Sequence, residues 1–291
     1  MRVALLQFPV VWEDKEANLF LTEQRIATLA GKADVAMLPE MFSTGFCVGH
    51  PELAEPADGP TMTRLRHMAD TYDLAIVGSF ICREGQHIYN RGFFVRPYEQ
   101  PVFIDKKHLY RHGGEDRFFT AGDQQTVIEW RGVRFRLILC YDLRFPVWSR
   151  NRNSAPYDIL LVVANWPDAR IQYWDALIAA RATENQCYIA AVNPVGDDGL
   201  GLHYNGHSVA YDSRLVPIAS LPDDRAGIVI ADFNMEQLHH FRKVLPLWQD
   251  SDDFLLLATE EDVERHRVLI GCSSDAHRMP NGCPSEPLPA V

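Results

Sequence analysis

Residues 137–146 read LILCYDLRFP. Three apolar residues run into Cys140, and the chain turns polar at once with Tyr141, Asp142 and Arg144. A short run of this kind reads as a strand buried on both faces. Such strands ordinarily end on Gly, Asn or Asp. A thiol in that place admits two readings. Free cysteine packs like a small hydrophobe. Alternatively, a nucleophile stands where a strand opens onto a pocket.

Similar runs lie on either side. They span residues 3–8, 35–38, 74–80, 92–96 and 102–105, then 135–139, 159–164, 188–192, 208–211 and 227–232. Most are rich in Val, Ile and Leu, with little alternation. Between them lie helical patterns at 14–29, 61–72, 171–185 and 235–243. In the third, Ile171, Trp174, Leu177 and Ile178 share a face. Helices and strands interleave early, and strands follow one another through the middle. This order predicts an α/β protein with some antiparallel pairing, of the α+β kind, not a simple doubly wound sheet.

The bulk numbers set limits. The chain has 291 residues, 47% hydrophobic and 23% charged, as in ordinary globular proteins. Its 39 acidic against 28 basic residues give a net charge of −11. That argues against nucleic-acid and anionic-membrane partners, which require a basic surface. The first apolar run is too short to span a bilayer and lacks a cleavage signal, so it reads as the first strand. The six cysteines form no close pair and no C-x-x-C. Reduced thiols and a cytoplasmic location are expected. The main domain is expected over residues 1–270. Residues 271–291, rich in Pro and Ser, read as a poorly ordered extension.

The ends of the apolar runs are chemically loaded. MLPE ends on Glu40, FIDK on Lys106, LILC on Cys140 and LLVVAN on Asn165. Ligands of open α/β sheets bind beyond the carboxyl ends of strands. Each residue alone has an ordinary explanation: a loop carboxylate, a solvated charge, a packed thiol, a turn amide. Together, a thiol, a carboxylate and an ammonium are the parts of acyl transfer through a thioester. A carboxylate in a dry pocket becomes more basic and can take the thiol proton. The sulfur then attacks a carbonyl carbon. Lys106 and the backbone N–H of Tyr141 are candidate donors to the oxyanion.

LPEMFSTGF, DKKHLY and LILCYDLRFP resemble, in order, the three motifs of the nitrilase superfamily of carbon–nitrogen hydrolases. The resemblance continues through YDILLVVANWP, ARATENQCYIAAVN and HYNGHSVAYDSRLVPIAS, and covers nearly all of residues 1–250. It implies Cys140 as nucleophile, Glu40 as general base and Lys106 as the family lysine. Glu115, in RHGGEDRFF, is the best match to a second family glutamate, with Asp116 adjacent. The residues after the cysteine, with ANWP and WSRNRN, are similar to bacterial ω-amidases. That branch implies hydrolysis of the terminal amide of 2-oxoglutaramate or 2-oxosuccinamate, with release of ammonia. The family also implies a four-layer α-β-β-α sandwich, a homodimer and no cofactor.

Other features are weighed beside these. Arg170 is a candidate clamp for a substrate carboxylate, and Trp166 and Phe46 candidate pocket walls; a solvated helix start and core packing are equal alternatives. Asp142 and Arg144 are expected to hold the turn. Arg181 is expected to pair with Glu184 at i+3. His203 and His207 have metal-like spacing, but Asn205 and Gly206 argue against a shared helix face, so no metal is expected. GDDGLG lacks phosphate-loop spacing. The alternatives to an ω-amidase are an N-carbamoyl hydrolase, another aliphatic amidase or a nitrilase. Outside enzymes, a thiol redox sensor or interaction protein would need a resolving cysteine beside Cys140.

Overall fold

Successive strand side chains point to opposite faces, and here each face has its own core. Val3 and Leu5 join a cluster with Val35, Met37, Phe94, Phe135, Leu137, Leu161 and Val163. Ala4 and Leu6 face the other way, toward Leu19, Ile26, Met62, Leu65 and Met68. Ile138, Leu160, Val162 and Ile189 form a third cluster with Trp174, Ile178 and Ala182. The first cluster lies between two sheets, and the other two lie under helices. The computed structural model, which describes residues 1–252, 254 and 256, is therefore an α-β-β-α sandwich.

The first sheet runs in the order Gly227–Asp232, Arg2–Gln7, Val35–Met37, Ala75–Glu84, His87–Val95, Val102–Asp105, with Glu55–Pro56 beside Ala75–Glu84. The second runs Pro217–Ser220, Val209–Tyr211, Tyr188–Val192, Ile159–Val163, Val133–Leu139, Val127–Trp130. Val195–Asp197 and His203–Asn205 form a separate small pair. The parallel register aligns Leu139 with Val163 and Val163 with Val192. Cys140, Asn165 and Asn193 thus leave one edge together. In the first sheet Met37 aligns with both Leu5 and Val77, so the chain toward Glu40 leaves a parallel edge as well.

Lys15–Ala27 and Pro60–Tyr72 cover the first sheet, and Ile171–Glu184 covers the second. Asp14 caps the first helix by accepting from Ala17 N, and Pro60 occupies the first turn of the second. Trp174 and Ile178 are fully buried. Each such side chain contributes about 1.5–3 kcal/mol by leaving water.

Residues Met1–Ser251 form one compact unit. The expected boundary near residue 270 and the extension 271–291 lie outside the described residues. No helix among the described residues is long and apolar enough to cross a membrane.

Candidate active site

Cys140 directly follows Val133–Leu139 and opens a short 3-10 turn, Cys140–Arg144. Its φ is 41°, in the left-handed region that non-glycine residues rarely adopt. Such strain persists only where surroundings over-determine it. Asp142 supplies that constraint. Its Oδ2 accepts from Leu139 N at 3.2 Å, and its Oδ1 accepts from His108 N at 2.8 Å. The His108 ring Nδ1 is also 2.8 Å from Oδ1, and the ring stacks on Phe145 at 3.7 Å. The turn carrying the thiol is thereby fastened to the segment carrying Lys106. Arg181 adds support, donating to Leu143 O at 2.7 Å while pairing with Glu184 at 3.0 Å, as expected.

Glu40, Lys106 and Glu115 are all buried. Lys106 Nζ lies 2.8 Å from Glu40 Oε1 and 2.8 Å from Glu115 Oε2. Asn90 Nδ2 donates to both carboxylates, at 2.7 Å to Glu40 and 3.2 Å to Glu115. Tyr110 N donates to Glu115 Oε2 at 2.6 Å. Glu115 therefore belongs to the network, whereas its neighbour Asp116 is exposed. Asn165 joins the two sheets. Its N–H donates to Glu40 Oε2 at 2.9 Å, its side chain donates to Glu40 O at 2.7 Å, and its carbonyl accepts from Cys140 Sγ at 3.7 Å.

One ammonium between two carboxylates leaves one negative charge in a dry site. A thiolate would add a second. Burial, then the Glu40 carboxylate, pushes the Cys140 thiol well above its ordinary value, against the pull of Lys106. Burial also raises Glu40, with Lys106 opposing and Glu115 reinforcing. Burial works against the Lys106 charge, but Glu115 and Glu40 outweigh it and hold the ammonium well above its usual range. The resting site is a neutral thiol beside a carboxylate of raised basicity. Such a pair moves a proton as the sulfur attacks, not before.

A cleft of about 200 Å³ opens over Cys140, bordered by Tyr110, Tyr141, Arg144, Trp166 and Arg170 among others. A larger hollow of about 610 Å³ at Arg134, Arg242 and Trp248 contains none of the reactive groups. Chemistry, not size, assigns the site. Trp166 is fixed by Asn193, which accepts from its N–H at 2.7 Å and donates to its carbonyl at 2.9 Å. For Phe46 the core-packing alternative describes its place. Its ring lies 5.6 Å from Lys106 Nζ, in a cluster with Met41, Cys47 and Phe119, and takes no part in the cleft lining. Arg144 corrects an expectation: it lines the cleft, and the turn is bound by Asp142 together with Arg181. His203 pairs with Asp197 and Asp224, and His207 with Asp175 and Asp223. No cluster of metal-ligating residues occurs among the described residues.

The carbon-nitrogen hydrolase family model matches residues 2–243. The chain belongs to the carbon-nitrogen hydrolases. It is 42% identical over 257 residues to omega-amidase YafV of Yersinia enterocolitica, covering 88% of this chain and 99% of that one. It is 29% identical over 252 residues to the 2-oxoglutaramate amidase of Bacillus subtilis, covering 85% and 96%. A solved CN-hydrolase superfamily protein of Xanthomonas campestris, with an arsenic adduct in its active site, superposes with a TM-score of 0.86 at 37% identity, covering 88% and 99%.

In this carbon-nitrogen hydrolase, sequence reading had passed over Asn90, Tyr110 and Asn193. Asn90 lies inside a strand, where an amide has no motif to mark it. Its signal was weak but present: a buried strand position occupied by Asn demands polar partners. Asn193 ends the strand Tyr188–Val192 as Asn165 follows Ile159–Val163, so the same strand-end logic applies.

Proposed function

We propose that the protein is a cysteine-dependent ω-amidase, hydrolysing the terminal amide of a small 2-oxo acid such as 2-oxoglutaramate or 2-oxosuccinamate. The observation that carries the chemistry is the Asn165 backbone, whose N–H donates to the Glu40 carboxylate and whose carbonyl accepts from the Cys140 thiol across the two sheets. The substrate class is supported by the relatives named omega-amidase and 2-oxoglutaramate amidase, and by guanidinium in the cleft.

Cys140 Sγ attacks the amide carbon while its proton passes to Glu40. The oxyanion is met by Lys106 Nζ and the Tyr141 N–H. One such donor is worth on the order of 3 kcal/mol in the transition state. Glu40 returns the proton to the leaving nitrogen, ammonia departs, and a thioester remains. Glu40 then deprotonates water, which attacks the thioester and releases the carboxylate and the thiol. Glu115 and Asn90 hold Lys106 and Glu40 in position. Trp166 and Tyr141 wall the cleft, Arg170 meets the substrate carboxylate, and Phe46 acts through Lys106. No cofactor enters these steps.

The test is a substrate panel with mass spectrometry of the intact protein. Ammonia release from 2-oxoglutaramate should exceed that from nitriles and N-carbamoyl compounds, and an acyl adduct should map to Cys140. Cys140→Ala should fold and lose turnover; ordinary rates in that variant would sink the mechanism. A redox-sensor reading has no support at the cleft, whose lining contains no second cysteine. We further propose a cytoplasmic homodimer. Light scattering should then give twice the 33.1 kDa chain mass. The described cysteines, Cys47, Cys82, Cys140 and Cys187, are free, in keeping with a reducing compartment.

A further inference from the structure

The two oxygens of Glu40 are unequally occupied. An ionised carboxylate offers about four acceptor positions, two on each oxygen. Oε1 accepts from Lys106 Nζ at 2.8 Å and from Asn90 Nδ2 at 2.7 Å, which fills it. Oε2 accepts from Asn165 N at 2.9 Å and, among the described residues, from no other donor. The open position is therefore on Oε2, the oxygen on the Asn165 side. The carbonyl of that same residue accepts from Cys140 Sγ at 3.7 Å. Asn90 makes the difference between the oxygens. Its side chain is fully buried on the strand His87–Val95 and takes no part in the cleft lining. One Nδ2 hydrogen goes to Glu40, the other to Glu115 Oε1 at 3.2 Å. Its Oδ1 is buried and meets no partner among the described residues. Buried amides ordinarily satisfy both ends. This one directs both hydrogens at carboxylates and leaves its own acceptor unmet.

We propose that Asn90 is a positioning residue that selects Glu40 Oε2 as the oxygen receiving the thiol proton. The proposal rests on the cysteine mechanism above. As Cys140 attacks, the S–H bond breaks and its electron pair stays on sulfur, which bonds the amide carbon. The proton goes to the open position of Oε2, and the carbonyl π pair moves onto the substrate oxygen. The same Oε2 then gives the proton to the departing nitrogen. Without Asn90 a position opens on Oε1, on the Lys106 side, and the charged form of Glu40 loses a donor. That loss makes the carboxylate more basic and divides its proton between two oxygens. The titratable groups facing Glu40 are Lys106, Glu115 and Cys140, with Tyr204 beyond them, its hydroxyl donating to Asp198 at 3.0 Å. All four stay in place when Asn90 alone is replaced.

The experiment measures pH profiles of kcat and KM for ammonia release from 2-oxoglutaramate by the full-length protein, N90L and N90D. N90L removes the donor at similar size, and N90D keeps the shape but puts a further acceptor there. The acid limb of kcat/KM should move to higher pH by about one unit in N90L and farther in N90D. On the plateau kcat should fall about 10- to 100-fold with KM little changed. A limb that stays at its wild-type position in the folded variants would overturn the role of Asn90, because a merely structural loss lowers the rate at every pH alike. Neutron diffraction of the unmodified protein, at a pH below its acid limb, needs no variant to fold. Deuterium should then lie on Glu40 Oε2; deuterium on Oε1 would overturn the selection. If incubation with 2-oxoglutaramate leaves no acyl adduct on wild-type Cys140, the cysteine mechanism fails and the role of Asn90 with it. An adduct that forms beside an unmoved limb removes the role of Asn90 alone.

Discussion

At the scale of single residues, the site is a charge balance. Lys106 separates two buried carboxylates, each at 2.8 Å. Removing the ammonium leaves them facing one another without compensation. Lys106→Ala should therefore cost about 3–5 kcal/mol in denaturant unfolding, beyond the loss of turnover. A variant as stable as the wild type would mean that the carboxylates are not held ionised together. The linkage has a definite sign. The raised Lys106 contributes stability throughout the neutral range, lost only as pH rises through its elevated folded value. The raised Glu40 has the same sign in a lower pH window: between its ordinary and its folded value the native state binds the extra proton, so stability falls as pH rises. On the proposed mechanism, activity needs Glu40 ionised. The acid limb of kcat/KM should lie above the ordinary carboxylate range, and thiol ionisation should add no falling limb at neutral pH, because burial lifts Cys140. An acid limb at ordinary glutamate values would contradict the burial of the base.

At the scale of elements, the decisive device is the tie between the turn after Val133–Leu139 and the segment after Val102–Asp105. One carboxylate, Asp142, accepts from Leu139 N and His108 N. Asp142→Asn replaces an acceptor-only group by one whose NH2 opposes a backbone donor. It should lower stability by about 1–3 kcal/mol and reduce kcat on every amide tested, with KM little changed. A selective rise in KM would instead place Asp142 at the substrate. This tie also shows what a sequence discloses. Strands 102–105, 188–192 and 227–232 are legible to the residue because apolar residues dominate them. Val127–Trp130 is not, since Glu129 interrupts it, nor is Pro217–Ser220, which opens on proline. The cluster was readable where polar groups stand at strand ends: Glu40, Lys106, Cys140 and Asn165 come together in the structure. It was not where function depends on contacts between distant segments. Arg144 reads as a turn residue until Trp166 and Tyr173 are seen beneath it.

At the scale of the whole molecule, the site lies on the seam of the sandwich. Glu40 follows a strand of the first sheet and Cys140 a strand of the second, and Glu40 N donates to Ala164 O across the seam at 3.3 Å. The proposed proton transfer from thiol to carboxylate therefore depends on how the two sheets are held face to face. Phe94 and Phe135 meet between them, ring centroids 5.3 Å apart, both fully buried. Neither touches the cleft. Phe135→Ala opens a cavity in that layer and should cost about 3–5 kcal/mol, lowering Tm by roughly 10 °C. The loss of amidase activity on heating should coincide with the loss of near-ultraviolet circular dichroism, because a thiol and base drawn from opposite sheets cannot outlast the packing between them. Activity persisting beyond the structural transition would show that the catalytic groups keep their geometry without the inter-sheet core, and would remove the seam as the source of that geometry.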